Sequence, residues 1–277
     1  MNPDELEPFG VAFNPPATAA QLQELEDAIS APLPPELREI YLHHNGMQSQ
    51  GDYPFRLMSA SEVADTYREL REEEYLSEDV RLFWTDDQDN YAALYVSGPA
   101  GRICLINHDE PDLTPLYRSI ESFYQAMTAA ARAGQDWYEM ARSLASPEAD
   151  ALPEEQAKEL ALANEYFERY RSATVPAKRK SLAFKAMQLL PSSESHRLLE
   201  FLGSGDMWIQ ERACTLLGKR GYTAAIPALA EVARSGKHNG RIAALIALRD
   251  FGASAHEEVE RLKKELEPQW LIYLQSR

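Results

Sequence analysis

Lysine is missing from the first 150 residues of this 277-residue chain; the first to occur is Lys158. Over that stretch nine Arg face 28 Asp and Glu, a net charge of −19, whereas residues 151–277 carry 19 basic and 16 acidic side chains, net +3. A half so short of cations repels phosphate backbones and anionic lipid surfaces, which argues against nucleic-acid or membrane binding there, and it speeds encounters with basic partners. Cysteine is almost as scarce. Cys104 and Cys214 stand far apart, and two such residues make neither a disulfide framework nor a zinc ligand set, which fits a reducing compartment. No run of about 18 apolar residues occurs, and the opening MNPDELEPFG is acidic where a secretory signal would be basic and then apolar. The expected location is the cytoplasm.

Catalytic signatures are also wanting. The chain has no Gly-x-Ser-x-Gly elbow, no Walker loop and no Gly-x-Gly-x-x-Gly after a strand, so the reading is of a protein that is not an enzyme and needs no cofactor. Asp86-Asp87-Gln88-Asp89-Asn90 superficially suggests a calcium loop. Tyr91 stands where such a loop needs its sixth-position glycine, and Ser97 where it needs the bidentate Glu. Neither His43-His44 nor His108-Asp109-Glu110 has the spacing of a catalytic metal site, and no metal is expected.

What is present reads as two units, 1–150 and 151–277, each large enough for a core, with residues 143–154 as linker. In the first, Thr18 with Gln21 is a capping box opening a helix through Leu22, Leu25 and Ile29, ended by Pro32. Pro34-Pro35 opens a second helix with Leu37, Ile40 and Tyr41 inward, stopped at Asn45-Gly46. A short strand at 55–58 leads to a further capping box, Ser59 with Glu62, and a helix bearing Val63, Tyr67 and Leu70. Residues 80–84, 91–96 and 102–107 are rich in aromatic and β-branched side chains and read as an antiparallel meander. A helix from Ser119 closes a unit of α+β class.

These residues carry a resemblance. Leu33-Pro34-Pro35-Glu36-Leu37, Tyr41 and Asn45-Gly46 resemble the "LP-x-x-[YL]…NG" element of the SUKH superfamily. The strand into Ser59, the pair around Gly101-Arg102-Ile103 and the helix with Ile120, Ser122 and Phe123 follow in the family's order. The resemblance spans about residues 15–130. It implies a small, mostly antiparallel sheet flanked by helices. It also implies a role like that of the bacterial immunity proteins that neutralise polymorphic toxins; a fungal cell-wall regulator shares the family.

After residue 154 strand signals vanish. Residues 212–221 superpose on 243–252 at an offset of 31, an internal repeat. Alanines at close-packing positions followed by a turn and a second helix resemble HEAT repeats, so a short α-solenoid is expected, with Trp208 in its core.

The function expected is that of a cytoplasmic immunity protein whose acidic half occludes the basic surface of a cognate toxin. Its contacts would come from Asp52 and Tyr53, read as exposed, from Asp86, Asp87 and Asp89, and from His108, Asp109, Glu110 and Asp112. Trp84 and Tyr91 flank the central acidic loop and suit either an aromatic anchor or the sheet core. The alternative is an intracellular scaffold or regulatory adaptor that recognises a protein through its helical repeats.

Overall fold

The computed structural model describes residues 6–49, 51–70, 79–107, 112–136, 140 and 152–275. They divide into two compact units, Met1–Ala145 and Ser146–Arg277.

The first unit is α+β. Its elements run β1 (Ala12–Phe13), α1 (Ala19–Ile29), α2 (Pro35–His43), β2 (Met47–Ser49), β3 (Arg56–Leu57), α3 (Ala60–Glu69), β4 (Val80–Thr85), β5 (Tyr91–Tyr95), β6 (Ile103–Ile106) and α4 (Ile120–Arg132). Strands β3 to β6 form an antiparallel sheet in chain order, and β1 pairs with β2 in a separate two-stranded sheet. Three helices begin at capping boxes, Thr18 with Gln21, Ser59 with Glu62 and Ser119 with Ser122, each satisfying amide groups that a helix start leaves unpaired. Helix α1 ends earlier than Pro32, at Ser30, whose φ of 54° turns the chain out of the helix.

Both faces of the larger sheet are covered. Phe83 lies 6.2 Å from the ring of Tyr41 in α2, whereas Trp84 lies 5.3 Å from Phe123 and 6.0 Å from Tyr124 in α4. Coverage on both faces explains why β5 reads as a continuous apolar run rather than an alternation.

The SUKH-like motif has a structural purpose here. Leu37 and Tyr41 are fully buried, and the Tyr41 hydroxyl donates to the Met58 carbonyl at 2.9 Å. Asn45 accepts the Ala60 amide at 2.8 Å, and Gly46, at φ 83°, passes so close to Ser59 that a Cβ would sit 2.5 Å from its nitrogen. All of these contacts brace the junction between β3 and α3.

The second unit is all-helical: α5 (Pro153–Ser172), α6 (Pro176–Leu189), a 3-10 segment (Ser192–Leu198) running into α7 (Leu199–Leu202), α8 (Met207–Lys219), α9 (Ile226–Ser235), α10 (His238–Asp250), α11 (His256–Glu265) and α12 (Pro268–Leu271). Helices α6, α8 and α10 start at residues 176, 207 and 238, two steps of 31. Contacts recur with them. Gln210 Nε2 donates to the Leu202 carbonyl at 2.8 Å, and 31 residues on, Arg241 Nε donates to the Ala233 carbonyl at 3.0 Å. Ala213 and Ala244 are both fully buried.

Trp208 departs from expectation. Its side chain is 38% exposed, because the buried stripe of α8 runs through Ile209, Ala213, Leu216 and Leu217 and leaves the preceding residue outside it.

Candidate functional site: an acidic cleft at one end of the sheet

Residues Arg56, Thr85, Tyr91 and Ile106 stand in one cross-strand row, which marks one end of the four-stranded sheet. The chain enters β3 at that end, the β4–β5 hairpin turns there, and β6 stops there. Two of the acidic loops named from the sequence meet as a result. A cleft of ≈ 380 Å³ is lined by Gly51, Asp52, Tyr53 and Pro54, by Asp86 and Gln88 of the hairpin tip, by Ala131 in the last turn of α4, and by Gly134, Gln135 and Asp136 after it.

The hairpin tip is built from its own carboxylates. Asp86 is 7% exposed; its Oδ1 accepts the Gln88 and Asn90 amides at 2.8 and 3.2 Å, and its Oδ2 accepts Asn90 Nδ2 at 2.7 Å. Asp87 and Asp89 sit at φ 61° and 60°, a left-handed conformation that aspartate tolerates better than most side chains. Arg56 holds Asp87 through a fork, Nε to Oδ2 at 2.9 Å and Nη2 to Oδ1 at 2.7 Å, and reaches Glu62 at 2.8 Å. The bond to Asp87 is the chief cause that raises the Arg56 pKa. Burial works to raise the Glu62 pKa, but Arg56 and the Ser59 cap outweigh it and leave that carboxyl below its ordinary value.

On the opposite wall, Gly51 at φ 56° has no room for a side chain, since a Cβ would lie 1.9 Å from the Phe9 carbonyl oxygen. The Asp52 amide donates to that same oxygen at 2.9 Å, which fixes the turn and leaves the carboxylate outward.

Of the aromatic candidates, Tyr53 lines the cleft, and Trp84 and Tyr91 do not. Tyr53, expected to be exposed, is 2% exposed: its ring packs 5.5 Å from Phe9, and its hydroxyl hydrogen-bonds to that of Thr128. Thr128 in turn donates to the Tyr124 carbonyl at 2.8 Å, and Trp84 Nε1 donates to the Tyr124 hydroxyl at 3.0 Å. Trp84 is fully buried and Tyr91 is 8% exposed, so both belong to the sheet core and not to a surface anchor. Asp112 accepts the Thr114 amide at 3.0 Å and shapes the return that pairs Tyr117 with Ile103. His108, Asp109 and Glu110 lie outside the described residues.

The exposed carboxylates that line the cleft are Asp52 and Asp136, and Asp89 is exposed nearby at the hairpin tip; neither Asp52 nor Asp89 pairs with a cation among the described residues. Asp136 was not singled out in the sequence. Its signal was the glycine stop at Gly134, φ 64°, after an alanine-rich helix, which returns the chain to the sheet end. No group of three or more His, Cys, Asp or Glu among the described residues could hold a metal ion.

The arrangement is that of an α+β domain with an anionic cleft at one end of its sheet. Residues 16–126 match the model of the SMI1 / KNR4 family (SUKH-1), so the first unit is similar to a SUKH domain over that stretch. No curated protein matches the chain. No helix among the described residues is long and apolar enough to cross a membrane.

Proposed function

We propose that this is an immunity protein, acting in the cytoplasm, whose SUKH domain binds a cognate toxin and covers a basic active-site or substrate-binding surface. The observation that carries the reading is the convergence of acidic segments distant in sequence on one open cleft, in a half of the chain that lacks lysine. Asp52 in the cleft lining and Asp89 at the hairpin tip are the steering charges, and the exposed Asp136 and the buried Asp86 also line the cleft. Inhibition is by occlusion and includes no chemical step by this chain. The helical unit, read as a HEAT-like stack on the strength of its 31-residue recurrence, extends the grip or carries a second partner.

The test is neutralisation in cells of the toxin encoded beside this gene. Wild-type protein should protect, and the Asp52→Asn, Asp89→Asn variant should protect less at equal expression. If the double variant protects fully while truncation of the helical unit abolishes protection, the scaffold reading, with recognition through the repeats, replaces this one.

A further inference from the structure

The helical unit presents a second surface, of opposite character to the cleft. Helices α6, α8 and α10 run parallel, as their contacts require. Near their ends, Arg220 donates to the Leu190 carbonyl at 2.8 Å, and a Cβ on Gly218 would lie 2.8 Å from that of Ala247. Near their starts, Gln210 accepts the Lys237 amide at 2.8 Å, and Asn239 bonds Glu211 at 3.0 Å. The three N-terminal ends therefore share one edge.

That edge is apolar at its centre and cationic around it. Met207 and Trp208 are 37% and 38% exposed and Val175 is 58% exposed, while Lys178, Arg179 and Lys237 are exposed beside them. Two carboxylates share the edge and keep their charge, since Asp206 accepts only the Trp208 and Ile209 amides and Glu211 accepts Asn239, and the three cations outnumber them. The starts of α6 and α10, which no side chain caps, add positive potential of about half a charge each. Tryptophan is the side chain most enriched where proteins bind one another.

We propose that this edge docks on the acidic unit of a second copy of the chain. Charge complementarity selects the occupant: residues 1–150 carry −19 and no lysine, whereas residues 151–277 carry +3. The same asymmetry disfavours nucleic acid, which the acidic half repels. Because the two surfaces differ, the contact is heterologous, and it closes as a reciprocal dimer or a ring, or continues as an open chain, according to the rotation between copies. The net charge of −16 opposes association at long range, but at 0.1 M salt charges separated by more than about 10 Å are screened, so short-range contacts persist. The proposal does not depend on the identity of any toxin.

Sedimentation velocity of the full chain tests it. At 0.1 M NaCl the average mass should climb with concentration above that of a monomer, and at 0.5 M NaCl it should return to that of a monomer. Trp208→Ala, and separately Lys178→Glu with Arg179→Glu, should weaken association by about tenfold or more while circular dichroism stays unchanged. Carbodiimide coupling of lysine to carboxylate supplies the geometry: in a mixture of ¹⁴N and ¹⁵N protein, mixed-isotope links should join Lys178 or Lys237 to residues 1–145. A monomer at every concentration overturns the proposal. So does association that Trp208→Ala leaves intact, or one whose mixed links join helical unit to helical unit.

Discussion

The two units differ in how much of their charge is paired. In the helical unit arginines meet glutamates in pairs and forks: Arg234 bridges Glu258 and Glu265, and Arg171 bridges Glu200 and Glu168. In the first unit arginines do the same, Arg68 bridging Glu24 and Asp65, Arg38 meeting Glu26 and Arg56 bridging Asp87 and Glu62, but nine of them face 28 carboxylates over residues 1–150. Other carboxylates build turns, as Asp86 and Asp112 do. Asp52, on the cleft lining, and Asp89, at the hairpin tip, face solvent. Exposed ion pairs contribute little to stability, so the absence of cations from this rim costs the fold little and leaves an uncompensated field for a partner.

Packing differs as well. The helical unit repeats one solution at 31-residue steps, whereas the SUKH unit depends on single, unrepeated positions. The sharpest test of that contrast is Gly46→Ala. Its left-handed backbone and the 2.5 Å approach to Ser59 nitrogen should together cost about 2–4 kcal/mol in urea unfolding, confined to the first unit. Ala213→Leu and Ala244→Leu should each overpack the helical unit by about 1–3 kcal/mol, and by similar amounts, since the two positions are equivalent and both fully buried. A large effect at one and none at the other would break the repeat.

A smaller effect concerns pH. The Glu62 carboxyl is held below its ordinary value of 4.5 in the folded state, so the stability it contributes is complete above that value and is lost as pH falls through the lower, folded one. Glu62→Gln should flatten the acid side of a stability-against-pH curve and leave its neutral side parallel to that of wild type. An unchanged acid slope would mean that Arg56 serves Asp87 alone.

The legible part of this fold was the part written in short-range signals. Capping boxes at Thr18 and Ser59, the helix start at Ser119, proline at the start of α2 and the aromatic strands each occupy a few consecutive residues, and each formed as its chemistry dictates. The 31-residue step was legible because a repeat is compared only with itself. The sheet β1–β2 was not, since two- and three-residue strands carry no periodicity. Tyr53 was misjudged because its partner, Thr128, lies 75 residues away, and Trp208 because hydrophobicity does not reveal which side of a helix start is covered. At the site, composition located the acidic loops but could not separate carboxylates that build the hairpin tip from those that face solvent. Neutralising Asp86, Asp87 and Asp89 together would therefore confound folding with binding, because Asp86 supports two backbone amides and Asp87 anchors Arg56.

The smallest expected change in stability goes with the largest in function. Asp52→Asn with Asp89→Asn should alter the unfolding free energy by less than about 0.5 kcal/mol per site, as solvent-facing positions do. The central claim is then tested by the association rate of the purified protein with its cognate toxin across ionic strength. The account predicts a rate that falls steeply as salt rises in the wild type, and a lower rate with a shallower slope in the double variant at unchanged melting temperature. A rate independent of salt, and equal in the two proteins, would contradict it.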